Sequence, residues 1–437
     1  MLSLIIKNQN KLLFNFLFLI LLLVLSVHFY QSFFSMLGNK WAFWELFVNY
    51  EGGFIKRGIL GEIFITLNRL FDTSPFSFFS FLFVLLYCIQ IIIFYKLVYP
   101  YKSSKLLCIL IVFSPALLMF NFYDINTYFT KDNFTKVAIL IHALFIVKKV
   151  HSKSLIENYN KFLNYLIIPI LFFNILNHEQ QVFFIGVHLL LTLLVNYNYG
   201  GIKSFKSLRS YIVLLIPFII ILLTPNSFEK VEMINDSIRV FGAKISDLHA
   251  GNINLMIGAV IKWHFLKMPF YNHNVFDFLN LFTCILLSLF LFYLIFHYFI
   301  KQNIYEMHWF IKKYYVLFFL PCFALFISAL DHGRTINIFL THLISFYLAL
   351  KINNNKFKIV VSSFNKSFFL KNLSFIFLFF YVFLWYIPVG GGYDAIGTFS
   401  EGDSIFKNTL MSELINLFMI IYNFIDYNII NLPRIVV

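Results

Sequence analysis

Apolar stretches about 20 residues long succeed one another from Leu12 nearly to the end of the chain, and that is the length one helix needs to cross a bilayer. Composition supports the same reading. Of the 437 residues, 60% are hydrophobic and 12% charged, against roughly 45–50% and 25% in soluble domains. A body with 61 Phe and 25 Tyr lacks the polar surface to face water on every side. The pattern predicts an all-α, polytopic transmembrane bundle of about 12 spans, near 12–34, 76–97, 105–122, 134–150, 162–177, 180–197, 211–224, 276–300, 314–330, 335–351, 369–388 and 411–431. The 162–197 stretch reads either as one hairpin or as a broken pair. The first run is too long for a signal-peptide core and has no small-x-small cleavage site, so it reads as a retained span. Residues 1–437 form a single integral membrane domain on this reading, with one long outer loop at about 225–275.

Charge supplies an independent test of that layout. A net charge of +14 can mark a nucleic-acid binder, but such proteins gather Lys and Arg on one soluble face. Here the basic residues stand in small groups between apolar runs. With both termini in the cytoplasm, the inside segments hold Lys7 and Lys11, Lys96, Lys102 and Lys105, Lys148, Lys149, Lys153 and Lys161, and then Lys203, Lys206 and Arg209. Further on they hold Lys301, Lys312 and Lys313, then Lys351, Lys356, Lys358, Lys366 and Lys371, and Arg434. The inside acids are Glu157, Glu306 and Asp426. Every inside loop is basic, as the positive-inside rule requires. The four cysteines (Cys88, Cys108, Cys284, Cys322) fall within apolar runs without motif spacing and read as buried structural thiols.

The candidate chemistry lies on the outer side. Between Phe54 and Phe71, Ile59, Leu60, Ile63, Phe64, Leu67, Leu70 and Phe71 recur at helical spacing opposite Glu62, Thr66 and Arg69, the pattern of an amphipathic helix at the outer interface. Just before it, Glu51-Gly-Gly-Phe-Ile-Lys-Arg-Gly-Ile-Leu-Gly61 sets Lys56 and Arg57 at a helix N-terminus. The helix dipole already favours an anion there, so two added cations suggest a bound phosphate; an interfacial lipid anchor is the plainer alternative. Tyr128-Phe-Thr-Lys-Asp-Asn133 brings Lys131 and Asp132 to the start of the fourth span, where Asp132 serves equally well as a helix cap. Asn177-His-Glu-Gln-Gln181 puts His178 and Glu179 in a turn between short apolar segments. That pair is costly at membrane depth unless partnered, and it suits a base with its proton partner. It lacks the second His of a zinc protease. Asp331-His-Gly-Arg334 forms a tight turn in which Arg334 can grip a phosphate, with His332 beside it, or can simply pair with Asp331. Val389-Gly-Gly-Gly-Tyr-Asp394 reads as a flexible outer loop. The long loop adds Arg239, Lys244, His249, Lys262, His264, Lys267 and His273. No pair of His or carboxylates has metal-ligand spacing, so no metal and no cofactor is expected.

The Gly-Gly-Phe-Ile-Lys-Arg-Gly-Ile-Leu-Gly run, the His-Glu turn and the Asp-x-Gly-Arg turn resemble those of bacterial polysaccharide-assembly membrane proteins. Over its full length, Phe-, Ile-, Asn- and Tyr-rich with a sizeable outer loop, the chain is similar to the O-antigen polymerases called Wzy. The resemblance implies a multi-pass protein of the bacterial inner membrane with a periplasmic active face. It implies a glycosyltransferase of lipopolysaccharide and surface-polysaccharide biosynthesis. Such an enzyme moves glycan from undecaprenyl pyrophosphate to a lipid-linked repeat unit. Its partners would be the undecaprenyl-pyrophosphate-linked oligosaccharide, membrane lipid and a chain-length regulator protein. In that family periplasmic arginines are implicated in handling the anionic donor, a role that here falls to Arg57 and Arg334, with Arg239 a weaker third. Lys56, Lys131 and His332 complete the substrate-binding set. The catalytic candidates are Glu51, Asp132, Glu179 and Asp331 as bases, with His178 as proton partner. Two alternatives stay open. A GT-C-type polyprenyl-phosphate-sugar glycosyltransferase places acids in its first outer loop, where Glu45 and Glu51 stand. A flippase for lipid-linked oligosaccharide would bury charges along several span centres, which here are almost uncharged.

Overall fold

The computed structural model describes residues 11–23, 25–26, 44–101, 109, 111–120, 129–149, 155–196, 206–224, 227–244, 286, 316–322 and 332–350. The expected spans at 369–388 and 411–431, nearly all of the one at 276–300, most of the long outer loop, Asp331, the glycine-rich 389–394 segment and both termini lie outside them.

Among the described residues all regular structure is helical, with no strand. We label the helices α1 (Lys11–Leu23), α2 (Ile59–Phe71), α3 (Pro75–Val98) and α4 (Asp132–Lys149). Helix α5 runs through Leu155–Phe162, a π-helical turn Leu163–Ile167 and Ile168–Asn177. After it come α6 (Ile185–Val195), α7 (Leu215–Leu223), α8 (Phe228–Ile238) and α9 (His332–Leu350). Helix α3 starts cleanly because the Ser74 hydroxyl accepts from the Ser77 N–H and Pro75 has no N–H in need of an acceptor. Its 24 residues extend roughly 36 Å, enough for a hydrocarbon core of about 30 Å. Two described helices, Pro75–Val98 and Glu157–Asn177, are long and apolar enough to cross a membrane. A third span exists if Ser207–Leu223 and Phe228–Phe241, bent by 103°, count as one.

Packing sorts the chain by its ends. Helix α9 is buried on every side and lies against α4, α6 and α3. Phe14 near the start of α1 meets Tyr95 and Tyr99 at the end of α3, with ring centres 5.3 and 5.7 Å apart. Phe145 near the end of α4 stacks on Phe162 near the start of α5 at 3.8 Å.

Two elements differ from the sequence reading, each for a local reason, and so does one side chain. The amphipathic helix begins at Ile59, not Phe54, because a turn occupies Lys56 and Arg57 and Gly58 is the helix cap. It buries Leu60, Phe64 and Ile65 and leaves Ile63, Leu70 and Phe71 exposed. It sits so close to the preceding segment that a Cβ at Gly61 would run into the Val48 carbonyl. Within the expected 105–122 span, residues 111–120 turn at Ser114 and Pro115 and do not continue as a helix. Bent backbone at that depth needs protein partners for its freed carbonyls. Asn337 of α9 supplies them, donating through Nδ2 to the Ala116 and Leu117 oxygens at 3.0 and 2.9 Å. Cys322 is buried and donates to the Phe183 carbonyl at 3.3 Å, whereas Cys88 is exposed on α3, not buried as expected.

Candidate functional site

At one end of the bundle four segments converge: the 45–57 stretch, the start of α4, the break after α5 and the start of α9. Each is shaped by a local departure from the helix. Arg57 has φ of 67°, a left-handed conformation that residues with a Cβ rarely adopt. The Lys131 ammonium donates to the Arg57 carbonyl at 2.8 Å and so braces that turn from across the cluster. At the end of α5, His178 is extended (φ −159°, ψ 115°), which stops the helix and starts a 3-10 turn at Glu179–Phe184. The His178 imidazole Nδ1 accepts from the Gln180 N–H at 3.3 Å.

The bent turn aims Arg57 at two carboxylates. Its Nε reaches both Glu179 oxygens at 2.8 and 3.1 Å, and its Nη2 reaches Glu179 Oε1 at 2.6 Å. Its Nη1 reaches Glu45 Oε1 at 2.6 Å. This is the planar fork that only arginine presents. A second pair lies beside it. Arg334 donates to Asp132 Oδ2 through Nε and Nη2, each at 2.7 Å. The other oxygen, Asp132 Oδ1, is buried without a hydrogen-bond partner. One turn further along α4, the Lys136 ammonium donates to Asn337 Oδ1 at 3.1 Å. Gln90 of α3 donates to Asn133 Oδ1 at 3.1 Å. A small cavity beside Lys136 is lined also by Tyr87, Gln90 and Thr341.

Lys56, Lys131, Asp132, Lys136, His178 and Arg334 are all buried. Burial pushes the Lys56 and Lys131 ammonium groups down to about 8, against the pull of Glu179 and Glu45. Burial together with the Arg57 charge brings His178 down to about 4, so its imidazole is neutral at ordinary pH. Burial alone would raise Glu179, but the charge and hydrogen bonds of Arg57 outweigh it and hold the carboxyl well below its usual range. Glu179 is thus a fixed anion and a poor proton acceptor. Burial would likewise raise Asp132, and the charge and hydrogen bond of Arg334 outweigh it and hold that carboxyl below its usual range; unlike Glu179, Asp132 keeps one buried oxygen, Oδ1, without a hydrogen-bond partner. Among the described residues, five cations (Lys56, Arg57, Lys131, Lys136, Arg334) meet three carboxylates (Glu45, Asp132, Glu179), an electrostatic setting that favours an anion.

The structure therefore joins Lys56, Arg57, Lys131, Asp132, His178, Glu179 and Arg334 in one place, although they come from four separate motifs of the chain. Two other candidates sit apart. Glu51 pairs with Arg69 at the exposed rim. Arg239 is exposed just after α8. His332 is the first residue of α9, and Asp331 lies outside the described residues. The two arginines read as anion clamps are both bound to carboxylates, Arg57 to Glu45 and Glu179 and Arg334 to Asp132. The alternative pairing of Arg334 with Asp331 falls on a residue outside the described ones. Lys136 and Asn337 went unnoticed inside apolar runs, where a lone Lys or Asn is itself the signal. The same holds for His142, His188 and His342, buried deeper in the bundle. Among the described residues no three His, Cys, Asp or Glu side chains converge as a metal site. No family model, curated protein or solved structure matches the chain.

Proposed function

We propose that this chain is a membrane glycosyltransferase of the O-antigen polymerase kind, acting at the periplasmic face of the bacterial inner membrane. It transfers glycan from undecaprenyl pyrophosphate to a lipid-linked repeat unit. The observation that carries the reading is the convergence of buried ammonium groups, locked ion pairs and one open carboxylate oxygen at a single end of an apolar helical body. The four segments that meet there are the ones whose charge pattern assigns them to the outer side. A pyrophosphate leaving group needs cations placed where its charge develops; Lys56 and Lys131 are the ammonium groups for it. The acceptor hydroxyl gives its proton to Asp132 Oδ1 as its oxygen attacks the anomeric carbon. The bond from that carbon to the pyrophosphate breaks, and the electron pair leaves with the phosphate oxygen. Arg334 holds the Asp132 carboxylate by its other oxygen. Arg57 fixes Glu45 and Glu179 and closes the floor of the site.

One observation favours a second reading. Glu45, an acid of the first outer loop, is drawn to within 2.6 Å of Arg57 in the cluster, which suits a GT-C-type enzyme using a polyprenyl-phosphate sugar. Deletion of the gene separates these readings. Loss of a polymerase leaves lipopolysaccharide with core plus one repeat unit and no ladder, and that is the expected result. A surviving ladder lacking one sugar per repeat supports the GT-C enzyme, and core alone supports a flippase.

A further inference from the structure

Three amide side chains, Asn174, Asn177 and Gln181, follow one another at intervals of three and four residues across the end of α5 and the 3-10 turn after it. They are 1%, 1% and 3% exposed. In each, both the amide nitrogen and the amide oxygen lack a hydrogen-bond partner. Buried polar groups in native proteins are nearly always paired with protein or water, and a group that is not calls for an explanation. Six such atoms lie within eight residues, in the segment that also carries His178 and Glu179. Asp132 Oδ1 is likewise buried and without a partner, and the start of α4 lies against this segment, with the Phe134 and Phe173 ring centres 5.5 Å apart.

The chemistry of these atoms limits what can satisfy them. A lipid phosphodiester offers acceptors alone, and inorganic phosphate at most two P–OH donors, so either would pair with amide N–H groups and leave one or more of the three amide oxygens bare. An acyl chain would satisfy none. Each amide presents a donor and an acceptor side by side, which matches a hydroxyl that both gives and takes a hydrogen bond. Asp132 Oδ1 adds one further acceptor for a hydroxyl. We infer that Asn174, Asn177 and Gln181 form a saccharide subsite that takes the hydroxyls of a sugar ring next to Asp132. This rests on the glycosyl-transfer reading for the identity of the ring as part of the lipid-linked substrate. It adds residues that hold the sugar, separate from the cations that hold the phosphate.

Replacing the amides with apolar residues of similar shape separates a ligand role from a structural one. In the ligand-free protein, Asn174→Leu, Asn177→Leu and Gln181→Leu remove orphaned polar atoms, so each variant is expected to unfold at the same or a higher temperature than wild type. The purified full chain in nanodiscs is then titrated with a panel of nitrophenyl glycosides and, separately, with inorganic pyrophosphate. The expected result is glycoside binding by wild type, at least tenfold weaker binding by each variant, and pyrophosphate binding that none of the three changes. Absence of binding by any glycoside of the panel overturns the inference, as does equal binding by wild type and variants. Pyrophosphate binding persisting in either case leaves the anion site standing. Glycoside binding lost in the variants, alongside a deletion strain that keeps its ladder, upholds the subsite and removes the polymerase.

Discussion

Two polar regions lie within the same apolar bundle and are built on opposite terms. The cluster at the end of the bundle, which we propose to be the outer one, uses full charges brought from positions far apart in the chain, such as Asp132 and Arg334 or Arg57 and Glu179. The deeper region uses rings and hydroxyls. His142 Nδ1 meets His188 Nδ1 at 3.0 Å, and His142 Nε2 meets the Tyr159 hydroxyl at 2.8 Å. Tyr159 continues to Thr192 at 2.7 Å, Thr192 to Tyr211 at 2.8 Å, and Tyr211 donates back to the His188 carbonyl at 3.0 Å. A contact between two imidazole nitrogens holds one proton, so His142 and His188 cannot both be fully protonated. This chain of bonds satisfies nearly all its atoms, His188 Nε2 excepted, and ties α4, α5 and α6 to Tyr211. The outer cluster and its amide neighbours keep open atoms at Asp132, Asn174, Asn177 and Gln181. A closed network fixes helices; an open one keeps hydrogen-bonding capacity for a ligand.

The largest expected effect comes from Arg57→Ala, which strands Glu45 and Glu179 without their cation. Breaking a buried pair of this kind costs roughly 3–5 kcal/mol. The variant should therefore be scarce in membranes and inactive, by quantitative blotting and chain-extension assay. Arg57→Lys should recover little, since a point charge cannot span two carboxylates. Normal abundance and activity in Arg57→Ala would make the outer cluster as dispensable as any surface ion pair.

Asp132→Asn comes next. It keeps the shape and removes the proton acceptor, so turnover should fall by about 10²–10⁴, measured against protein abundance in the same membranes. Unchanged turnover would move the open oxygen out of the chemistry.

The pH response sharpens the contrast further. Lys56 and Lys131 lie near 8 because burial disfavours their charged forms. Below about 8 both carry the charge that attracts an anion, and above it they lose their protons. Inorganic pyrophosphate should bind progressively more weakly as pH rises through 8, and Lys131→Arg should carry the decline to higher pH, as followed by calorimetry. A flat profile would show that neither ammonium faces the anion. The smallest effect belongs to the closed network. Tyr159→Phe leaves its former neighbours short of one hydroxyl and should lower stability by about 1–3 kcal/mol with turnover unchanged. A loss of turnover matching that of Asp132→Asn would erase the distinction between the two regions.

Much of this was legible in residue order, and the remainder has a common physical cause. Apolar periodicity and basic loops carry the helical membrane character. The turn at Lys56 and Arg57, the break at His178 and the start of α4 each announce themselves by polar residues between apolar runs. Hence seven of the candidate side chains meet. What residue order does not specify is which charges find each other. Glu45 with Arg57 and Asp132 with Arg334 are set by helix packing over separations that no local pattern encodes. Asn337 is hidden for the same reason, since its role depends on a bend at Ser114 and Pro115 in another segment. The amides at 174, 177 and 181 were legible in principle, as polar residues sharing helical spacing inside an apolar run. Their open hydrogen-bonding capacity could be seen only after the chain had folded around them.

The central claim, that the open carboxylate of the outer cluster drives glycan polymerisation, is tested most directly by reconstitution. The purified chain in nanodiscs is supplied with the undecaprenyl-pyrophosphate-linked repeat unit, and the lipid-linked products are resolved by size. Wild type should give a ladder of extended chains, while Asp132→Asn at equal protein should leave the single unit unextended. A ladder of equal length and rate from both proteins would contradict the account.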